Sequence, residues 1–160
     1  MRVPTIYLET TIFNFPFAAD APQYQADTLQ LFAEIKAGKF KPFTSGYVID
    51  ELEAAEDSLR EQRLQLIKEY GVEVIPTSDE AKNLAKAYIE AGIIPPSFGT
   101  DAFHLAATTV AGLDFIISLN FRHIVKRKTI VETEFINLRE GYKPIEIYSP
   151  MEVIDYAENL

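Results

Sequence analysis

The stretch DFIISLN, residues 114–120, places Phe115, Ile116 and Ile117 in a row without alternation and then ends on Asn120. A strand buried on one face alternates apolar and polar residues; an unbroken apolar run fits a strand covered on both faces. Four further short runs surround it in the chain: TIYLE (5–9), KPFTS (41–45), VEVIP (72–76) and IEIYSP (145–150). Helical patterns separate them. Leu29, Leu31, Phe32 and Ile35 pattern a helix ending at Gly38. Val48, Leu52, Ala55 and Leu59 make a second stripe, which Leu64, Ile67 and Tyr70 continue to Gly71. Ala81, Leu84, Ala85, Tyr88 and Ile89 form a third, stopped near Gly92, and Ala102, Leu105, Ala106 and Thr109 a fourth. Strands alternating with helices predict a mainly parallel sheet covered on both faces, an α/β/α sandwich. FPFAADAPQ (15–23) reads as a loop before the first long helix, and the paired prolines of IIPPSFG (93–99) forbid a continuous helix there.

Composition narrows the chemistry. A chain of 160 residues fits one ordinary domain, 1–160, with a real core. The net charge of -9 argues against nucleic-acid binding by bulk electrostatics, although not against a local basic patch working with a divalent metal. With no cysteine, thiolate zinc sites, iron–sulfur clusters, thiol catalysis and disulfides are excluded. That is compatible with a reducing, cytoplasmic setting. The apolar run in MRVPTIYLE is too short for a signal peptide, and no run approaches a membrane span. A metal here would have oxygen ligands, which suits Mg²⁺ or Mn²⁺.

Ligands of open α/β sheets bind beyond the carboxyl ends of the strands, where strand order reverses. Glu9 ends the first run and Asn120 the fourth. Glu51 lies soon after the second run, flanking the apolar stripe with Tyr47 and Val48. Asp101 opens the helix DAFHLAATTV in phase with Leu105, and His104, one turn on, is its expected hydrogen-bond partner. Singly, each has a plain structural explanation: a strand end, a surface acid, a helix-dipole acid, a turn residue. Their shared edge favours a site. FRHIVKRKTI (121–130) is the most basic stretch of the acidic chain; Arg122 and Lys126 in it read either as phosphate contacts or as the solvated start of a helix.

At these residues the chain resembles the PIN-domain family, metal-dependent ribonucleases that include VapC-like toxins. Glu9-Thr10-Thr11 stands where the family has Asp-Thr-Ser; Glu51 in VIDELEAA matches its helical Glu; Asp101-Ala102-Phe103-His104-Leu105-Ala106 matches its D-A-x-H-L-A stretch; and Ser118-Leu119-Asn120-Phe121-Arg122-His123-Ile124 its last acidic turn. The chain departs from the family in Glu9, longer by a methylene, in Asn120, which lacks a charge, and in Thr11. The resemblance implies a sheet of order 3-2-1-4-5 and a site of Glu9, Glu51, Asp101 and Asn120. It also implies Mg²⁺ or Mn²⁺ held directly by Glu9 and Asp101, with Glu51 and Asn120 acting through water. Such a metal polarises a phosphodiester and activates a water. Thr11 would orient a carboxylate or meet a phosphate. RNA is the implied substrate, with an antitoxin protein and a second copy of the chain as partners. The alternative is a non-catalytic PIN-like module that binds RNA or a partner through a degenerate metal site. A phosphatase on a similar sheet is disfavoured because no GxGxxG or P-loop appears.

Overall fold

The computed structural model describes residues 2–159, with side chains described as far as Ile154. In chain order the elements are β1 (Thr5–Leu8), α1 (Thr11–Asn14), α2 (Pro22–Lys36), β2 (Lys41–Ser45), α3 (Gly46–Ala54), α4 (Arg60–Glu69), β3 (Glu73–Ile75), α5 (Asp79–Glu90), α6 (Gly99–Val110), β4 (Phe115–Ile117), α7 (Arg127–Arg139), β5 (Glu146–Tyr148) and α8 (Pro150–Asn159), with 3₁₀ turns at Phe15–Phe17 and Pro96–Phe98. The strands form one parallel sheet in the order β3-β2-β1-β4-β5, flanked by helices. All five apolar runs become strands, in the expected order.

The central pair explains why these runs carry no alternation. Ile6, Tyr7 and Leu8 of β1 are fully buried, as are Ile116 and Ile117 of β4, and Leu8 registers with Ile117. Side chains on both faces of these strands meet helices. α2 packs on α8, while α5 packs on α6 and α7. Parallel strands need crossover connections, and the helices supply them.

Helix ends follow local chemistry. Ser78 caps α5, its Oγ accepting from the Ala81 N–H at 3.1 Å, and Asp79 and Glu80 occupy the first turn, where the helix dipole favours acids. α2 stops at Gly38, whose φ of +82° suits glycine; the Gly38 N–H donates to Ile35 O and Lys39 N–H to Glu34 O, which closes the orphan carbonyls.

Two expectations are corrected. The stripe from Val48 to Tyr70 is two helices, because the chain leaves α3 at Ala55, where ψ is 113°. Asp57 then accepts from the Leu59 N–H at 2.9 Å and from Arg63 at 2.8 Å. A short acid that bonds its own backbone offers an alternative to the helix ladder. FPFAADAPQ is only partly loop: it contains one 3₁₀ turn, and α2 already begins at Pro22, a residue suited to a first helical turn.

Candidate active site

β1 and β4 lie side by side with β2 beyond β1, so strand order reverses between β1 and β4. Glu9 follows β1, Ser118 follows β4 and Ser45 ends β2. α3 and α6 bring Glu51 and Asp101 to this edge. The acids are held in three linked groups rather than one knot.

Glu9 is buried, 3% exposed. Its Oε1 accepts from Ser118 Oγ at 2.6 Å, Thr11 Oγ1 at 2.5 Å and the Thr11 N–H at 3.2 Å. The Thr11 hydroxyl in turn accepts from the Leu119 N–H at 2.8 Å, which ties the ends of β1 and β4 together. Thr11 therefore orients the carboxylate. Burial pushes the Glu9 carboxyl above its usual value, against the opposing field of His104 and the donors Ser118 and Thr11.

The second group is a relay. Glu51 Oε1 accepts from Thr10 Oγ1 at 2.7 Å and lies 2.7 Å from His104 Nε2. His104 Nδ1 lies 2.7 Å from the Tyr7 hydroxyl, which is 2.7 Å from Ser45 Oγ. His104 is completely buried. Burial works against its charge, but the Glu51 bond and the fields of Glu9, Glu51 and Asp101 outweigh it, so its pKa lies above the usual histidine value. Burial likewise raises Glu51, and the bonds from His104 and Thr10 with the His104 field bring it below normal. The relay satisfies both ring states. A neutral ring donates from Nε2 to Glu51 and accepts at Nδ1 from Tyr7. A charged ring donates at both nitrogens, and Tyr7 turns its proton to Ser45.

The third group corrects an expectation. Asp101 does not pair with His104; its Oδ2 meets His123 Nδ1 at 2.9 Å. Residues at i and i+3 share a helix side, but His104 points inward to Tyr7 while Asp101, 15% exposed, reaches across to the turn after β4. Asn120 Oδ1 accepts from the His123 N–H at 3.0 Å, so Asn120 builds that turn while lying beside the acids. Arg122 lies over the Phe98 ring at 5.2 Å. Among the described residues neither Arg122 nor Lys126 makes an ion pair, whereas Lys128 donates to Gly92 O at 2.8 Å.

Ser118, Thr10, Tyr7 and Ser45 escaped the sequence reading as site residues. Their signal was a hydroxyl inside or just after an apolar run, since buried hydroxyls require partners.

The donor set is hard oxygen, which suits Mg²⁺ or Mn²⁺. Each acid commits one oxygen to the protein; among the described residues no donor bonds Glu9 Oε2, Glu51 Oε2 or Asp101 Oδ1. No three Asp, Glu or His side chains among the described residues converge on a common point. A Mg²⁺ ion typically needs only one or two direct carboxylates and keeps several waters. In its donor chemistry each of Glu9, Glu51 and Asp101, with one oxygen that no described donor bonds, fits such an ion.

No family model matches the chain, and no curated protein matches it. Among solved structures, the chain is similar to one from the crystal structure of VapBC2 from Rickettsia felis bound to a DNA fragment from their promoter, with a TM-score of 0.54 and 14% sequence identity. The match covers 91% of this chain and 98% of that one. At that identity the likeness shows the fold. No helix of the described residues is long and apolar enough to cross a membrane.

Proposed function

We propose that the chain is a PIN-like, metal-dependent endoribonuclease and the toxin of a toxin–antitoxin pair. The observation that carries this reading is the half-satisfied state of three carboxylates, Glu9, Glu51 and Asp101, at the switch point of the sheet. Hydroxyls and imidazoles fix each acid by one oxygen and, among the described residues, leave the other free, which suits a dication arriving with its waters.

Glu9 and Asp101 would hold Mg²⁺ or Mn²⁺, with Glu51 and Asn120 reaching it through water. The bound ion supplies charge on the scissile phosphate and a more acidic water. The chain's own residues do the positioning. Ser118 and Thr11 keep Glu9 ionisable and aimed despite its burial. His104 sets the proton balance beneath the acids. Arg122 and Lys126 offer unpaired cations to the RNA backbone. The sequence motifs and the fold of the VapBC2 chain support the same family, and with it an inhibitory protein partner. A homodimer belongs to this reading as well; Val131, Phe135 and Leu138 expose an apolar stripe on α7 for it.

A second reading has its own support. The lack of three convergent acids and the engagement of Glu51 by His104 favour a non-catalytic module that binds RNA or a protein. The deciding experiment is a cleavage assay on a mixed RNA panel with Mg²⁺ and with Mn²⁺, beside calorimetric Mn²⁺ titration at neutral pH. Cleavage that EDTA abolishes is expected. Mn²⁺ binding without cleavage, or no binding at all, rejects the nuclease.

A further inference from the structure

Successive residues of the turn after β4 lean on opposite neighbours. Phe121 leans on Tyr24 of α2, with ring centroids 5.7 Å apart and planes at 35°. Arg122 leans the other way, onto Phe98 before α6, and that ring packs against His123 at 4.2 Å. Phe98, Phe121 and Tyr24 are 37%, 43% and 42% exposed. Isolated exposed apolar residues need no explanation. Three aromatics gathered about one turn, Phe121 in it, Tyr24 from α2 and Phe98 before α6, beside the His123–Asp101 pair, are a different matter.

A cleft of about 320 Å³ opens beside the first platform. Tyr24, Phe121, Leu119 and Met151 line it, and Asp27 and Glu152 give it a hydrogen-bond-accepting side. That is the lower end of the usual range for small-ligand sites, roughly 300–1,000 Å³. Phe15 meets Tyr24 edge-on at 87°, which fixes the Tyr24 ring.

We propose that these rings are stacking platforms for unpaired nucleobases: one base on Phe121 and Tyr24, its N–H donors toward Asp27 and Glu152, and one against the exposed part of Phe98, next to Arg122. The inference rests on the ribonuclease reading and gives its substrate a form, a single strand drawn across the acidic edge with bases splayed to both sides. Charge favours this occupant. The chain carries -9 overall, yet the turn between the platforms presents Arg122 and Lys126 without acidic partners among the described residues. Bases stack on aromatic rings and arginine planes regardless of sequence, while cations track the backbone. A paired base has both faces occupied by its neighbours and cannot reach either ring.

The chain contains no tryptophan, so 2-aminopurine fluorescence reports stacking cleanly. A short RNA carrying 2-aminopurine would be titrated with full-length protein in Ca²⁺, as a single strand and as a duplex. Quenching on binding is expected for the single strand, with the duplex at least about tenfold weaker. Phe121→Ala and Phe98→Ala should each weaken single-strand binding about tenfold, and Phe121→Tyr should restore it. Equal affinity for the duplex, absence of quenching, or alanine variants that bind like wild type overturn the proposal; the last outcome would assign the rings to a protein partner. Cleavage is scored separately. Stacking without cleavage supports the platforms and removes the nuclease, whereas cleavage indifferent to both alanine variants removes the platforms alone.

Discussion

The two ends of the parallel sheet treat a carboxylate in opposite ways. At the amino end, Asp114 precedes β4 and is surrounded by cations. Arg2 donates to both of its oxygens, at 2.8 and 3.1 Å, Lys143 adds a bond at 2.9 Å, and Thr5 contributes its N–H at 2.8 Å. Burial alone would raise its pKa, but these donors hold it far below the ordinary carboxylate range. At the carboxyl end, Glu9, Glu51 and Asp101 have no Lys or Arg partner among the described residues. Hydroxyls and imidazoles hold one oxygen of each. A carboxylate whose charge is already neutralised by Arg and Lys staples the fold, whereas carboxylates held only by hydroxyls and histidines keep a demand that a metal can meet.

Substituting one acid at each end should separate these roles. Asp101→Asn retains an oxygen acceptor for His123 but removes the charge. RNA cleavage should fall at least about a hundredfold, as for lost transition-state charge stabilisation, while Tm from circular dichroism moves by no more than about 3 °C. Full cleavage by this variant breaks the assignment. Asp114→Ala should do the reverse. Losing charge-assisted bonds around a carboxylate that is only 9% exposed costs about 2–3 kcal/mol, or about 4–12 °C in Tm for a chain of this length. Cleavage per folded molecule should be unchanged. Because the folded pKa of Asp114 is depressed, its contribution is present above the ordinary aspartate range and fades as pH falls through and below it. The variant should therefore lose less stability than wild type on acidification toward pH 2.

The same contrast shows what a reader of the sequence can see. β1 and β4 are legible because both faces are buried and TIYL and FII carry no alternation. The placement of Glu9, Asp101 and Asn120 at one edge is legible because two follow such strands and the third sits in the first turn of a helix. Of α7 only the start was legible, as one of two readings of the basic stretch 121–130, and its sequence explains why. Its inner side mixes Ile130 and Ile136 with buried Thr129, Thr133 and Asn137, while Val131, Phe135 and Leu138 point outward, so no continuous apolar stripe marks its inner face. Asn137 is instead held by Tyr88 and Thr109 across the helix packing. Pairing was equally hidden. Helical spacing offers His104 to Asp101, but only the packed sheet reveals that Tyr7 and Glu51 claim the ring and that His123 comes from elsewhere to Asp101.

His104 makes the carboxyl-end arrangement sensitive to pH. Its folded pKa lies above the ordinary 6.5, so its stabilising charge is fully present below about pH 6.5 and is lost as pH rises through the folded value. Metal-free protein should lose Tm between pH 6 and pH 8, and His104→Asn should flatten that slope whatever it does to the absolute Tm. The charged ring also opposes a dication near the same acids. Mn²⁺ affinity should therefore rise over this interval in wild type and rise less in the variant. A slope that His104→Asn leaves untouched would place the titrating group elsewhere.

The smallest change tests whether the edge is short of charge. Asn120→Asp keeps the oxygen that accepts from the His123 N–H at 3.0 Å, so the turn needs no rearrangement. It adds one negative charge beside Glu9 and Asp101 without adding a cation. In the metal-free protein that charge is repulsive, and Tm should drop slightly. With Mn²⁺ present the sign should reverse, because a dication held by Glu9 and Asp101 would attract the new carboxylate; binding should tighten roughly tenfold. The crossover separates the two roles, since a merely structural Asn120 predicts loss of stability in both conditions. If Asn120→Asp destabilises the protein equally with and without Mn²⁺, the carboxyl edge is not a dication site, and its acids are poised on His104 and His123 as Asp114 is on Arg2 and Lys143.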